Sequence, residues 1–362
     1  MPTTAAGPFL LTAKDIRGGQ IDYESARHTS MEAFGNKLTD KSRPRIGDVL
    51  LTKDGSIGRV AVCDRENVCI NQSVALLRPN SRIIPAFLSY LLQTPAYQER
   101  MERDSDGSTI KHIYITRVDK MPVSVPGLCE QQAVIEVLGA LDDKIAANTK
   151  LAETADRLSQ AVFKSIAREG TSVPLSTTAR FVNGKAFTKG ASGTGRVVIR
   201  IAELNSGLGG STVFSDAEVG DDFLARPGDI LFAWSGSLTL HRWFRPEAIV
   251  NQHIFKVIPS GYPSWLVYEL LRDRLAYFKG IAADKATTMG HIQRGHLDGL
   301  VNLPSSHSIS GVDELMTSLW DRRLLAEREN ETLAATRDTL LPQLMSGTLR
   351  VRDAETHLEE AV

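Results

Sequence analysis

One stretch of this chain is written twice. Gly47-Asp48-Val49-Leu50-Leu51, with Gly55-Ser56 behind it, returns as Gly228-Asp229-Ile230-Leu231-Phe232, with Gly236-Ser237 behind it. Further landmarks recur in the same order: Asn71-Gln72 as Asn251-Gln252, His112-Ile113 as His291-Ile292, and Asp119 with Pro126 as Asp298 with Pro304. The offset falls only from 181 residues to 178 across the set. A Gly-Asp turn feeding an apolar strand is common in sheet proteins, but an ordered series of such landmarks at near-constant spacing marks a duplication. Its period exceeds the roughly 20 to 50 residues of solenoid repeats, so a whole module is repeated. Each copy runs on into a stretch of helical periodicity, which predicts an α+β chain ordered module, helix, module, helix.

With 362 residues, 42% hydrophobic and 23% charged, the chain has room for each module to bury its own core. No apolar run approaches the roughly 20 residues that span a bilayer, and Met1-Pro2-Thr3-Thr4 has no signal-peptide character, so a cytoplasmic protein without a membrane partner is expected. Cys63, Cys69 and Cys129 are odd in number and lack CxxC spacing, which signals neither a disulfide framework nor a zinc site. Lys and Arg slightly exceed Asp and Glu in both modules, whereas the helical stretches are acidic. That division weakly favours nucleic acid meeting the modules.

From Leu128 onward, Leu138, Leu141, Ile145, Leu151, Ala155, Leu158 and Val162 fall three and four apart, with Asn148 on the same stripe. Pro126, Gly127 and Glu130 suit a helix start and Gly170 its end. A helix of about 40 residues would be about 60 Å long. A second stripe, Leu315, Leu319, Ala326, Leu333, Leu340 and Leu344, lies between Ser310-Gly311 and Ser346-Gly347, with Pro342 expected to end or kink it. The offset between the stripes moves from 178 to 182, an insertion of four resembling a coiled-coil stutter. Both stripes are narrow and charged at the flanks, so pairing the two helices is the simplest way to bury them.

Catalytic signatures are missing. There is no GxxxxGK[ST] phosphate loop, no Asn-Pro-Pro-Tyr or Asp-Pro-Pro-Tyr stretch, no GxGxxG and no HExxH. Asp142-Asp143-Lys144 offers a nuclease-like Asp-x-Lys triplet, but it sits on the helical stretch, where a solvated flank explains it. Neither a catalytic residue nor a metal site is expected, and the chain reads as a binder.

Met121-Pro122-Val123-Ser124-Val125-Pro126-Gly127-Leu128-Cys129-Glu130-Gln131-Gln132, then Leu141-Asp142-Asp143-Lys144-Ile145-Ala146-Ala147-Asn148 and Ala161-Val162-Phe163-Lys164-Ser165, resemble the first junction and central helix of the DNA specificity subunits of type I restriction-modification systems. Leu344-Met345-Ser346-Gly347-Thr348-Leu349-Arg350-Val351 is similar to their ending. The resemblance implies two target-recognition domains, each followed by a long helix, the helices pairing as an antiparallel coiled coil. Its boundaries would be 1–126 and 172–308 for the domains, 127–171 and 309–350 for the helices, and 351–362 for a tail. It also implies a bipartite double-stranded DNA site, two methyltransferase subunits and ATP-driven restriction subunits as partners, with S-adenosylmethionine, ATP and Mg on those partners and none here.

Two departures stand out. The second module has a segment around Val173–Arg180 ahead of its first strand that the first lacks, so the first domain is expected to be shortened. The second junction has Pro304-Ser305-Ser306-His307-Ser308 in place of Glu-Gln. A non-DNA-reading scaffold that binds methyltransferase subunits through its helices is the alternative reading. Candidate DNA contacts are loop residues beside the landmarks: Lys53, Ser56, Ser108, Thr109 and Lys111 in the first module, and Lys185, Lys189, Ser235, Arg242, Lys285 and Thr287 in the second. Glu130, Gln131, Leu141, Ile145, Asn148, Leu158, Leu319, Leu333 and Leu340 are the candidates for partner binding and the coil.

Overall fold

The structure, a computed structural model, describes residues 2–107, 111–284 and 290–354. The chain divides into two compact units, Met1–Asp143 with Leu333–Val362, and Lys144–Thr332. Each holds one module and a portion of both long helices.

In unit 1, β1 (Thr4–Leu11) pairs antiparallel with β2 (Arg27–His28) and parallel with β5 (Val68–Ile70). A second sheet runs β4-β3-β6, with β3 (Val49–Thr52) central between β4 (Val60–Val62) and β6 (Val74–Leu77). All four residues of β3 are buried because the strand has a core on either face. Leu50 packs with Leu11, Ile16 and Val68, while Val49 and Leu51 pack with Leu92, Met101 and Ile113. A strand covered on both sides needs an unbroken apolar run, which is what Val49-Leu50-Leu51 supplies. Helices α1 (Pro85–Gln93) and α2 (Pro95–Arg103) follow, each begun by a proline at its first turn, where no amide donor is needed.

Unit 2 repeats the plan on a larger scale. The sheet β10-β9-β14-β11 comprises Val213–Ser215, Arg196–Ile199, Ala248–Val250 and Leu224–Ala225, with β9 and β14 parallel. The sheet β8-β15-β12-β13 comprises Ala179–Asn183, Ile254–Pro259, Ile230–Ala233 and Thr239–Arg242. Strand β12 is again buried on both faces: Ile230 and Phe232 join one core, Leu231 and Ala233 the other. Helix α4 (Ser264–Asp284) closes the larger core, and β7 (Thr171–Pro174) pairs antiparallel with β16 (Leu300–Leu303).

The duplication is therefore one of backbone frame, bond by bond. Gly47 and Gly228 both take positive φ, 89° and 97°, a conformation open to glycine without strain. Gly47 N–H donates to the Cys63 carbonyl at 2.8 Å, and Gly228 N–H to that of Trp243 at 2.7 Å. Asp48 and Asp229 each accept the amide three residues upstream, Arg45 and Arg226, at 2.8 Å. Asn71 N–H meets the Leu11 carbonyl and Asn251 N–H that of Ile199.

The long helices are α3 (Leu128–Ile166) and α5 (Ser306–Ser346), and they pack together. In unit 1, Leu138 and Leu141 are buried on α3, and Leu333, Leu340 and Leu344 on α5; Arg337 donates to Asp142 at 2.8 Å. In unit 2, Asn148 donates to Glu329 at 2.8 Å, Asn330 to Thr149 at 3.1 Å, and Arg323 to Asp156. From Asn148 with Glu329 to Asp156 with Arg323 the numbers rise on α3 as they fall on α5, the signature of antiparallel pairing.

Several expectations need correction. Leu151 and Leu158, at 43% and 44% exposure, lie off the seam, which passes through Asn148 and Ala155. A three-or-four spacing cannot distinguish a seam position from its neighbour when both are apolar. Leu315 is likewise exposed, with Met316 buried in its stead. Helix α5 begins at Ser306, its first turn capped by Ser305 Oγ accepting from Ser308 N–H at 3.1 Å, well before Gly311. It also continues through Pro342 to Ser346.

Candidate functional site

Beyond β3 and β12 the chain makes a turn that is held in the same way in both modules. In module 1, Gly55 N–H donates to the Lys111 carbonyl and Ile113 N–H to that of Lys53, both at 2.9 Å. In module 2, Gly236 N–H donates to the Gly290 carbonyl at 2.8 Å and Ile292 N–H to that of Trp234 at 3.0 Å. Isolated bridges Asp54↔His112 and Ser235↔His291 complete the correspondence. The landmarks Gly-Ser and His-Ile, far apart in sequence, thus build one exposed lip per module.

The side chains on the two lips differ. In module 1, Ser56 and Lys111 are exposed and Lys53 half-buried. Lys53 lies 3.8 Å from Asp54, whose carboxylate also meets His112 Nδ1. Lys111 pairs with Glu102 and holds that exposed carboxyl below its usual range. The His112 ring stands edge-on to Tyr114, centroids 4.6 Å apart, and the Arg117 guanidinium lies 5.4 Å over Tyr114. Tyr114 is 51% exposed. The lip therefore offers cations, a hydroxyl and an aromatic face, a set suited to phosphates and base edges. Tyr114 and Arg117 were missed by sequence reasoning; their closeness to the repeated His112-Ile113 is the signal that could have found them.

In module 2 the lip carries Trp234, whose Nε1 donates to Asn183 at 2.7 Å and whose ring lies 5.0 Å from that of His253. Ser235 is buried and its hydroxyl has no hydrogen-bond partner among the described residues. Lys185 and Lys189 are exposed on the loop after β8, with the Lys185 ammonium 4.5 Å from the Phe223 ring. Ser108, Thr109, Lys285 and Thr287 lie outside the described residues.

Arg242 is not placed to meet a ligand. It is 4% exposed, donates to Glu327 at 2.7 Å and to the Trp320 carbonyl, and lies 4.7 Å over the Trp320 ring. It fastens β13 to α5, which is why a loop-like sequence position became a buried one. Gln131 is also internal: fully buried, it donates to the Pro126 and Arg82 carbonyls and accepts from Ile84 N–H. Its neighbour Glu130 is exposed. Leu141, Asn148, Leu333 and Leu340 are buried, and Ile145 and Leu319 partly so.

Among the described residues no His, Cys, Asp and Glu group could hold a metal ion, and no helix is long and apolar enough to cross a membrane.

Residues 5–156 match the family model described as the Type I restriction modification DNA specificity domain. The chain is 30% identical over 105 residues to the type I restriction enzyme HindI specificity subunit of Haemophilus influenzae, covering 28% of this chain and 23% of that protein. It is 30% identical over 144 residues to the EcoBI specificity subunit of Escherichia coli, covering 38% and 30%. The aligned segments thus span less than a third of either relative. The crystal structure of the type I restriction-modification S subunit from M. genitalium superposes with a TM-score of 0.54 at 16% identity, covering 94% of this chain and 93% of that one, which bears on the fold alone. Residues 5–156 thus match a Type I restriction modification DNA specificity domain, and the segments aligned with the curated relatives resemble type I specificity subunits.

Proposed function

We propose that this chain is the non-catalytic subunit that reads DNA for a type I methyltransferase and restriction complex. Its site is bipartite, one half read by module 1 (1–126) and one by module 2 (172–308), with the length of helix between them in the chain setting the unread gap. The observation that carries this reading is the repeated lip. The backbone frame is the same in both modules, while the residues on it change from Lys53, Asp54, Lys111 and Tyr114 to Trp234, Ser235, Gly290 and Gln293. One frame presenting two chemistries suits two different half-sites, because phosphate contacts position a protein and groove contacts specify sequence. Lys185 and Lys189 would add phosphate contacts to the second half.

Its partners are then two methyltransferase subunits, which carry S-adenosylmethionine, and restriction subunits, which carry ATP and Mg. The complex acts in the cytoplasm, where the chromosome is. The acidic, exposed faces of α3 and α5, with Glu130 and Leu158, are available for those partners. Adenine methylation is mapped genome-wide in cells carrying the cognate methyltransferase gene, with and without this chain. A two-part motif that depends on the chain is expected. Stable co-purification with the methyltransferase but no motif would instead identify a scaffold.

A further inference from the structure

The same backbone hydrogen bond joins two positions in each module, and the side chains at those positions differ in kind. In module 1, Lys53, the residue after β3, donates its N–H to the carbonyl of Ser73, the residue before β6, at 2.9 Å. In module 2, Trp234, the residue after β12, donates to the carbonyl of His253, the residue before β15, at 3.1 Å. One position pair of the frame is thus filled by Lys and Ser in one copy and by Trp and His in the other, all four half-buried.

His253 is held there against two penalties. Its φ is 72°, and among the described residues Asn67 is the only other non-glycine at positive φ. A Cβ crowds the backbone in that region, and Ser73, at the matching position, avoids it. The ring carries the second penalty: Nδ1 is buried and has no hydrogen-bond partner among the described residues. Glycine would remove both. Instead the imidazole lies against Trp234, centroids 5.0 Å apart.

Trp234 is fixed in turn. Its ring centroid is 5.9 Å from that of Phe255, and its Nε1, the indole's single donor, goes to Asn183 Oδ1 at 2.7 Å. What remains to offer is an apolar ring. For His253, a buried and unpartnered Nδ1 favours the tautomer with its proton on Nε2, because an idle buried donor is worse tolerated than an idle acceptor. The ring then offers a donor at Nε2. A cation stands beside the pair: the Lys185 carbonyl accepts Gln252 N–H at 2.9 Å, next to His253, while the Lys185 side chain is exposed.

In the major groove an apolar side chain meets a thymine methyl, and a donor meets purine N7 or guanine O6. We propose that Trp234 and His253 are the specificity-determining pair of module 2. Trp234 covers a thymine methyl, His253 Nε2 donates to the purine beside it, and Lys185 takes the adjoining phosphate. Lys53, at the position matching Trp234, gives module 1 a cation suited to guanine, so the two half-sites differ where the frame is the same. The inference rests on the proposed reading of DNA and names the side chains that do it in the second half.

The test maps adenine methylation genome-wide in cells carrying the cognate methyltransferase gene with the parent chain, His253→Gly, His253→Asn or Lys185→Ala, alongside thermal melts of each purified chain. His253→Gly should melt no lower than the parent, because glycine takes φ 72° freely. Its motif should lose selection at one purine position of one half, methylation of sites with the wrong base there rising about ten-fold, and keep the other half intact. His253→Asn, which also tolerates positive φ and keeps a donor, should relax that position less. Lys185→Ala should lower methylation at all sites without altering the motif. A parent motif reproduced base for base by both His253 variants would overturn the proposal while leaving DNA reading intact. A motif lost whole together with a lower melting temperature would make His253 structural and overturn it too. A parent chain that yields no motif would instead refute the reading of DNA on which the pair depends.

Discussion

Replacing Gln131 with Leu keeps the volume of a fully buried side chain and removes three hydrogen bonds: 2.8 Å to the Pro126 carbonyl, 3.0 Å to that of Arg82, and 2.8 Å from Ile84 N–H. Each such bond contributes about 1 kcal/mol net, and a buried amide left without a partner costs about 1–3 kcal/mol more. The apolar replacement returns about 1–2 kcal/mol of transfer free energy. The expected loss is therefore about 2–4 kcal/mol, borne by unit 1, where Gln131 ties the start of α3 to the loop between β6 and α1. With an m-value of about 2 kcal/mol/M in urea, the unit 1 midpoint falls by about 1–2 M. Urea titration followed by exchange of unit 1 amides measures it, and Glu130→Gln, at the exposed neighbouring position, should stay within about 0.5 kcal/mol of the parent. A loss under about 1 kcal/mol for Gln131→Leu would refute the reasoning. If that small loss came with failure to bind a methyltransferase subunit, Gln131 would be a partner contact and not a structural bolt.

Three further outcomes follow from the site geometry. Asp48 accepts from Arg78 Nε and Nη2 at 2.9 and 2.8 Å; burial pushes its carboxyl up, but the Arg78 pair and the Arg45 amide outweigh that and hold it below the usual range. A depressed folded pKa stabilises above the unfolded value near 3.9 and loses that contribution as pH falls through the folded value, so Asp48→Asn should cost about 2 kcal/mol at neutral pH and flatten the acid limb of unfolding; parallel curves below about pH 4 would exclude it. Asp156 receives Arg272 Nη1 at 2.8 Å and Arg323 beside it, so Asp156→Asn leaves two largely buried guanidinium groups under-compensated, and calorimetry should show unit 2 losing about 2–4 kcal/mol; a shift below about 1 kcal/mol contradicts this. Lys111→Ala should weaken binding to specific and random duplexes alike and lower the salt slope by about 1; unchanged affinity across a salt series removes Lys111 from the interface.

The frame of each module was legible because it is repeated and because a strand buried on both faces must be apolar throughout. The helix pairing was legible for a similar reason, since two narrow stripes have few other places to go. What stayed hidden depends on long-range packing. Nothing local separates Arg242 from an exposed loop arginine; only α5, 85 residues on at Glu327, makes it internal. Gln131 reads as a surface partner of Glu130 until Arg82 and Ile84 are brought to it. Ser305 did carry a cap signal, overshadowed by Ser310-Gly311 as a boundary. On the lip, sequence could mark Gly55, His112 and their copies as architecture, but which neighbours stand free of that architecture is decided by the ion pairs around them.

The helix seam is unusually polar, and that polarity sets its register. Asp142 with Arg337, Thr149 with Asn330 and Asp156 with Arg323 each match only one antiparallel alignment, and a polar residue at a helix seam specifies register even where it costs stability. Deleting Glu327–Asn330 alone shifts the rest of α5 by about 6 Å and turns it by about 40° relative to α3, so the unit 1 and unit 2 alignments can no longer both hold. Broad, two-stage melting is expected. Deleting Thr149–Ala152 alone should do the same from the other helix. Removing both together shortens each helix equally and restores every remaining pair, so a single sharp transition should return. Under the proposed function the double deletion also shortens the unread gap of the methylated motif, by at most about two base pairs at roughly 3.4 Å per step. A double deletion no more cooperative than either single one would mean that the polar pairs do not set the register; a rescued melt with an unchanged motif gap would leave the seam intact and remove the helices as the ruler.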